Sequence, residues 1–197
     1  IWAIRLAGFL FVRVKRVGKD IRFDSVKTKP STFLVWWTLQ ALWVLTTMAA
    51  ALAIVTGGER VSMSWLGWTG CGVWLFGFAV EVVADAQKSS FKMDPTNRGQ
   101  FIRTGLWAWS RHPNYFGEIV LWIGVALMAV PVLTGWQYAT LISPVFVTFL
   151  LMKMSGVPLL EQKADERWGG QEDFEAYKKA TPVLIPRPPR SVPSSQD

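Results

Sequence analysis

Residues 101–118 read FIRTGLWAWSRHPNYFGE and run without a break into 119–130, IVLWIGVALMAV. The first part holds the single histidine of the chain, His112, together with Arg103, Arg111, Asn114, Tyr115 and Glu118. The second part is apolar enough to enter a bilayer. Polar groups crowded at the mouth of a membrane helix are costly unless they bind something, so this mouth is the expected functional centre. The rest of the chain reads as its support.

Outward from that stretch the apolar residues come in blocks. Residues 31–55, 64–80 and 119–152 carry no charge, in a chain that is 51% hydrophobic with 12 Trp and 12 Phe. A helix needs about 20 apolar residues to span a bilayer. Residues 31–55 and 64–84 therefore give one span each. The block 119–152 is too long for one, and Pro131 with Thr134-Gly135 divides it at 131–136 into spans over about 114–131 and 137–154. Residues 1–14, IWAIRLAGFLFVRV, resemble the last turns of another membrane helix, with Arg13 placed to snorkel and Arg5 deeper and in need of a partner. The chain opens on Ile inside this segment, so further helices are expected upstream. The tail, 157–187, has a soluble helical pattern broken at Gly169-Gly170, and 188–197 is Pro- and Ser-rich and expected to be disordered. The expected architecture is all-α: a polytopic transmembrane helix bundle with cytosolic loops and a short cytosolic C-terminal helix, forming one membrane-embedded domain over 1–187.

Charge sets the orientation. Eighteen basic residues fall in 15–30, 85–113 and 153–197, while the opposite side of the expected bundle has one, Arg60. That asymmetry places the three polar segments in the cytosol, where they can build one site or bind anionic lipid headgroups. The partners expected are membrane lipids and a hydrophobic small molecule entering from the bilayer, not nucleic acid.

Asn114 and Glu118 are four apart and Tyr115 precedes Glu118 by three, so they share one edge of a helix that Pro113 can start. The cytosolic N-terminus of that helix favours an anion, and Arg103 and Arg111 can add charge-assisted bonds to phosphate. Glu81 and Asp85 stand on one face at the end of the preceding span, with Lys88 a turn further on. One histidine and one cysteine, Cys71, argue against a zinc or iron site, and no metal is expected. No nucleophile motif accompanies His112, and neither GxGxxG nor GxxxxGK[ST] occurs. A dinucleotide would have to bind in a pocket among membrane helices.

GLWAWSRHPNYFGE, with DAQKSSFK before it and SGVPLLEQKADERWGG and FEAYKKATPVLIP after it, resembles the bacterial membrane branch of the steroid 5α-reductase family. Its C-terminal core is similar to that of sterol C=C reductases and, more distantly, isoprenylcysteine carboxyl methyltransferases. The resemblance implies an inner-membrane oxidoreductase of lipid metabolism. Such an enzyme uses NADPH to reduce the conjugated C=C bond of a steroid-like or other lipidic enone. It implies that Asn114 and Glu118 contact the nicotinamide end, that Asp85 lies near the adenosine, and that Lys88, Arg103, Arg111, His112 and Tyr177 belong to the cofactor site. Glu118 and Tyr115 are the candidate catalytic residues. Tyr115, Tyr138 and a residue upstream of this chain are the candidate acids. The family's tail histidine and the proton-donating glutamate of its steroid reductases have no counterpart here. The alternative is an S-adenosylmethionine-dependent membrane methyltransferase, for which Glu161 is a tail glutamate that both branches can use.

Overall fold

The computed structural model describes residues 1–17, 30–57, 62–154 and 156–189, with the side chains of Arg13, Arg16 and Val17 excepted. Most of the basic loop, Arg60, the snorkelling of Arg13 and residues 190–197 of the expected disordered tail lie outside the described residues. Among those described there are helices and turns and no strand. By its contacts the chain divides into two units, Ile1–Met48 and Ala49–Asp197.

The first unit holds α1 (Trp2–Val17) and most of α2 (Pro30–Thr56). Arg5, the deep charge of α1, has its guanidinium 5.8 Å from the ring centroid of Phe9, one turn on. This cation–π contact offsets part of its desolvation. Helix α2 has 27 residues, about 40 Å at 1.5 Å per residue. Leu34, Trp36, Trp37, Leu39 and Trp43 are all exposed on it. Apolar exposure on every side is what a lipid-facing helix presents.

The second unit is built on α3 (Trp65–Met93) and α4 (Pro113–Ala129). Ser64 caps α3, its hydroxyl accepting from the Gly67 amide at 3.1 Å. Asp94 ends that helix and starts the short 3₁₀ turn Pro95–Asn97. Helices α3 and α4 lie antiparallel, and glycines set how closely they approach. Gly70 faces Gly124 and Met128, and Gly77 faces Gly117 and Leu121. A Cβ on Gly117 would fall 2.6 Å from the Glu81 amide nitrogen, and one on Gly70 2.7 Å from that of Met128. Both obstacles are backbone. Glycines seven apart on each helix thus let the main chains touch, which is how membrane helices gain packing where lipid removes the hydrophobic drive.

Beyond α4, the turn Val130–Val132 contains Pro131, and Gly135 takes φ +53°. This is the break expected at 131–136. The returning span is less regular than expected. It begins as a 3₁₀ segment, Gly135–Leu141, continues as α5 (Ile142–Phe149) and widens into a π turn at Leu150–Met154. Pro144 has no N–H for the Thr140 carbonyl, so an unbroken α ladder cannot run through this region. The side chain of Gln137 accepts from the Thr134 amide at 2.9 Å and fixes the entry. Among the described residues, four helical segments are long and apolar enough to cross a membrane: Pro30–Thr56, Trp65–Met93, Pro113–Val132 and Gly135–Trp168. The apolar part of the last ends near Met154. The following α6 (Val157–Trp168) carries five charged residues in twelve, and α7 (Glu172–Ala180) begins after the break at Gly169-Gly170, where Gly170 has φ +80°.

Candidate functional site

The polar loop between α3 and α4 is held by one tryptophan. Gly105, at φ +61°, brings the chain against Gln87 so closely that a Cβ there would meet the Gln87 side chain at 2.6 Å. The Gln87 Oε1 accepts from the Leu106 amide at 2.9 Å. That turn seats Trp107, which is 3% exposed. Its indole N–H donates to the Ala84 carbonyl at 3.0 Å, its own carbonyl accepts from the Tyr177 hydroxyl at 2.7 Å, and Lys88 Nζ stands 4.4 Å from its ring centroid. One residue, through its indole and its main-chain carbonyl, thereby joins α3, the loop and α7. Burial pushes the Tyr177 phenol well above the ordinary tyrosine value, so it remains a neutral donor.

Trp109, Ser110 and Arg111 are pinned from the tail. The Arg111 amide donates to the Pro182 carbonyl at 2.9 Å, and the Arg187 amide to the Trp109 carbonyl at 3.0 Å. Ser110 is fully buried. Its hydroxyl donates to the Leu184 carbonyl at 2.8 Å and accepts from the His112 amide at 3.2 Å. His112 then stacks on Tyr115, with ring centroids 5.6 Å apart and planes 12° off parallel.

Glu161 on α6 completes the arrangement. Its Oε1 lies 2.7 Å from His112 Nε2 and its Oε2 is 2.5 Å from Arg111 Nη1 in an ion pair. Burial opposes the charge on this carboxyl, but the His112 hydrogen bond and the Arg111 charge outweigh it and hold its pKa below the ordinary value. A carboxylate only accepts, so the bond places a proton on Nε2 and turns Nδ1 inward. His112 Nδ1, Arg111 Nε and Asn114 Oδ1 are buried and have no hydrogen-bond partner among the described residues. Three orphaned polar atoms within four consecutive residues would be costly to leave unmet.

Two of them, on Arg111 and His112, belong to residues that line a cavity of about 650 Å³, walled by the end of α3, the loop, α6 and α7. Phe101, Trp168, Phe174 and Tyr177 form an aromatic cluster on its wall, and the Trp168 indole N–H donates to the Gly99 carbonyl at 2.6 Å. Six cationic side chains line the cavity, Lys88, Lys92, Arg98, Arg111, Lys163 and Arg167, against one carboxylate, Glu161.

Of the sequence-derived site residues, Lys88, Arg111, His112 and Tyr177 line this cavity. Asn114, Tyr115 and Glu118 stand on the first turns of α4 and Asp85 one turn before Lys88, all half-buried and off the lining. Arg103 is exposed, 3.3 Å from Asp173 of α7. Trp107, Ser110, Arg98, Lys163 and Arg167 were not singled out from the sequence. The 163/167 spacing signals a shared basic face, but the bonds of Trp107 and Ser110 reach some seventy residues along the chain and leave no local trace.

The family model described as "Protein of unknown function (DUF1295)" matches residues 1–181. The rat (Rattus norvegicus) 3-oxo-5-alpha-steroid 4-dehydrogenase 1 is 30% identical over 118 residues, which cover 60% of this chain and 40% of that protein. A probable O-methyltransferase, ustE, of Ustilaginoidea virens is 30% identical over 102 residues, 52% of this chain and 36% of that protein. An uncharacterized protein of Schizosaccharomyces pombe is 31% identical over 94 residues, 39% of this chain and 27% of that protein. The chain thus aligns with about two-fifths or less of the length of these relatives. No solved structure matches it significantly. With four helical segments able to cross a membrane and a family match over residues 1–181, the chain belongs to the DUF1295 family, that of the steroid 5-alpha-reductase-like integral membrane proteins.

Proposed function

We propose that this protein is a membrane oxidoreductase that binds NADPH in the cavity beside His112 and reduces a conjugated C=C bond of a lipidic enone. The observation that carries the reading is the charge of the cavity, six cations to one carboxylate. NADPH brings a pyrophosphate and a phosphate monoester, so its charge complements that wall. S-adenosylmethionine brings a sulfonium cation and is repelled by the same wall. The methyltransferase reading keeps one support, the likeness to a protein named as a probable O-methyltransferase.

The residues fit the dinucleotide in a second respect. Arg111 Nε and His112 Nδ1, both on residues of the lining, offer a donor and an acceptor in a buried place that would otherwise leave both unmet. Glu161 fixes the His112 ring and balances Arg111, which directs the remaining positive charge toward the phosphates. Lys88, held over Trp107, stands where the loop closes on α3.

When bound, the reduced nicotinamide supplies a hydride for the β-carbon of the enone. Negative charge then develops on the conjugated oxygen, and an acid has to meet it. Of the two candidate tyrosines in this chain, Tyr115 stacks on His112 at the cavity end of α4, whereas Tyr138 is half-exposed beyond the other end. Tyr115 is therefore the in-chain acid, with Glu118 and Asp85 on the adjoining helix turns to orient the ligand. The hydrophobic substrate enters from the bilayer, and the basic loops and cavity face the cytosol of a bacterial inner membrane.

The test is equilibrium binding of NADPH and of S-adenosylmethionine to the purified protein in lipid nanodiscs, with Arg111→Ala and Lys88→Ala alongside. Saturable NADPH binding weakened about tenfold or more by each substitution is expected. Binding of S-adenosylmethionine in preference to NADPH would overturn the reading.

A further inference from the structure

The cationic wall of the cavity is not uniform. At one end Glu161 neutralises Arg111 and holds His112. At the other, the bond from the Trp168 indole to the Gly99 carbonyl ties the end of α6 to the loop after α3. The residues immediately before these two partners are Arg98 and Arg167, so that bond brings two arginines to one rim. Lys163 is one helical turn before Arg167 on the same face of α6. All three line the cavity, all three side chains are exposed, and none makes an ion pair among the described residues. The acidic residues next to them on α6 are engaged elsewhere. Asp165 accepts from Lys178 Nζ at 2.6 Å, and Glu166 accepts from Gln162 Nε2 at 2.9 Å. The Arg167 guanidinium rests 4.9 Å from the Trp168 ring centroid, which limits its rotamers without using its donors.

We propose that Arg98, Lys163 and Arg167 form a second anion site at the rim of the cavity that holds a phosphate monoester, and that in this protein it reads the 2′-phosphate that distinguishes NADPH from NADH. This rests on the NADPH reading of the same cavity. A monoester carries between one and two negative charges at neutral pH and three acceptor oxygens. Two guanidinium forks and an ammonium supply donors for all three. A pyrophosphate alone would leave the wall overcharged, because Lys88 and Lys92 on α3 line the same cavity in addition to the rim three.

A lipid headgroup phosphate has the same chemistry, and the experiment separates the two sources. Binding of NADPH and NADH to the full chain is measured in nanodiscs of neutral phosphatidylcholine and in nanodiscs containing phosphatidylglycerol. The proteins compared are the wild type, Lys163→Ala, Arg98→Ala and Arg167→Lys. Lys163→Ala disturbs the fold little, since its side chain is exposed and makes no ion pair or hydrogen bond among the described residues. Arg167→Lys keeps the charge near Trp168 and removes the fork. The expected result is that wild type prefers NADPH over NADH, and that each alanine substitution weakens NADPH about tenfold while leaving NADH within about twofold. Equal weakening of both cofactors would assign the rim to the pyrophosphate and overturn the proposal. So would unchanged affinity for both. Loss of the NADPH preference on adding phosphatidylglycerol would assign the rim to lipid. If wild type binds NADPH and NADH equally, the rim proposal falls and the cofactor reading stands. If it binds neither, both fall.

Discussion

Replacing Gly117 by alanine tests whether the close approach of α3 and α4 holds the site together. The added Cβ would lie 2.6 Å from the Glu81 amide nitrogen and 2.7 Å from the Gly77 carbonyl oxygen, where ordinary contact begins at 3.4 Å. No side chain can swing aside, so the helices must part by about 0.8 Å at this crossing. Overpacking of this kind costs about 1–3 kcal/mol. Against it stands a helix-propensity gain of about 1 kcal/mol for alanine over glycine. A net loss of up to about 2 kcal/mol is expected. The matched control is Gly72→Ala on α3, where a Cβ would meet nothing within 4 Å and only the propensity gain remains. Thermal unfolding in nanodiscs should rank Gly72→Ala above wild type and Gly117→Ala below it. Because Gly117 lies between Asn114 and Glu118 on α4, NADPH affinity should also fall. A Gly117→Ala protein as stable as Gly72→Ala would refute the claim that these backbones are in contact.

Other consequences follow from the same geometry. Ser110→Ala removes the hydroxyl that serves both the Leu184 carbonyl and the His112 amide. It should cost about 1–3 kcal/mol and make the tail after Ala180 sensitive to limited proteolysis, which mass spectrometry of the fragments would locate. Tyr177→Phe leaves the buried Trp107 carbonyl without its 2.7 Å donor. A loss of about 1 kcal/mol is expected, measured by unfolding, with a change in tryptophan fluorescence from the site. Glu161 has a folded pKa below its ordinary 4.5, so its contribution is present in full above 4.5 and is lost as pH falls through the lower folded value. Stability should therefore decline on acidification below pH 4.5. Glu161→Gln should be less stable at neutral pH and lack its share of that decline, which a comparison of the two unfolding profiles would reveal.

The membrane fold was legible because lipid imposes simple rules. Uncharged runs of span length, the Pro131 break, and the Gly169-Gly170 gap between tail helices each have a local signature, and each appears in the structure. The irregularity of the last span was not anticipated, although Pro144 was visible, since its effect depends on which carbonyl it deprives. The mouth at 111–118 was legible as polar residues in an apolar context. What it pairs with was not. Glu161 reaches His112 across 49 residues and Ser110 reaches Leu184 across 74. Neither partner has a period or motif that points to the other. The same holds for Arg103. Its charge suggested a phosphate contact, and the ion pair it makes with Asp173 on the surface had no sign in the sequence.

The charge of the cavity bears on how one helical frame can resemble both a steroid dehydrogenase and an O-methyltransferase. The tail helices contribute Glu161, Lys163 and Arg167 to the wall, while α3 and the loop contribute Lys88, Lys92, Arg98 and Arg111. At an effective dielectric of about 20, two unit charges about 8 Å apart interact by about 2 kcal/mol before salt screening. Each cation gained or lost on the wall therefore changes the preference between a polyanionic and a cationic ligand by about that amount at most. Exchanges of three of the six cations for carboxylates would reverse the sign of the wall. The glycine-spaced contact of α3 and α4 and the Trp107 anchor would be untouched by them. In this protein the balance stands at five positive charges in excess, which supports the polyanion. The tail helices, whose exposed faces are least constrained by packing, are where that balance is most easily changed.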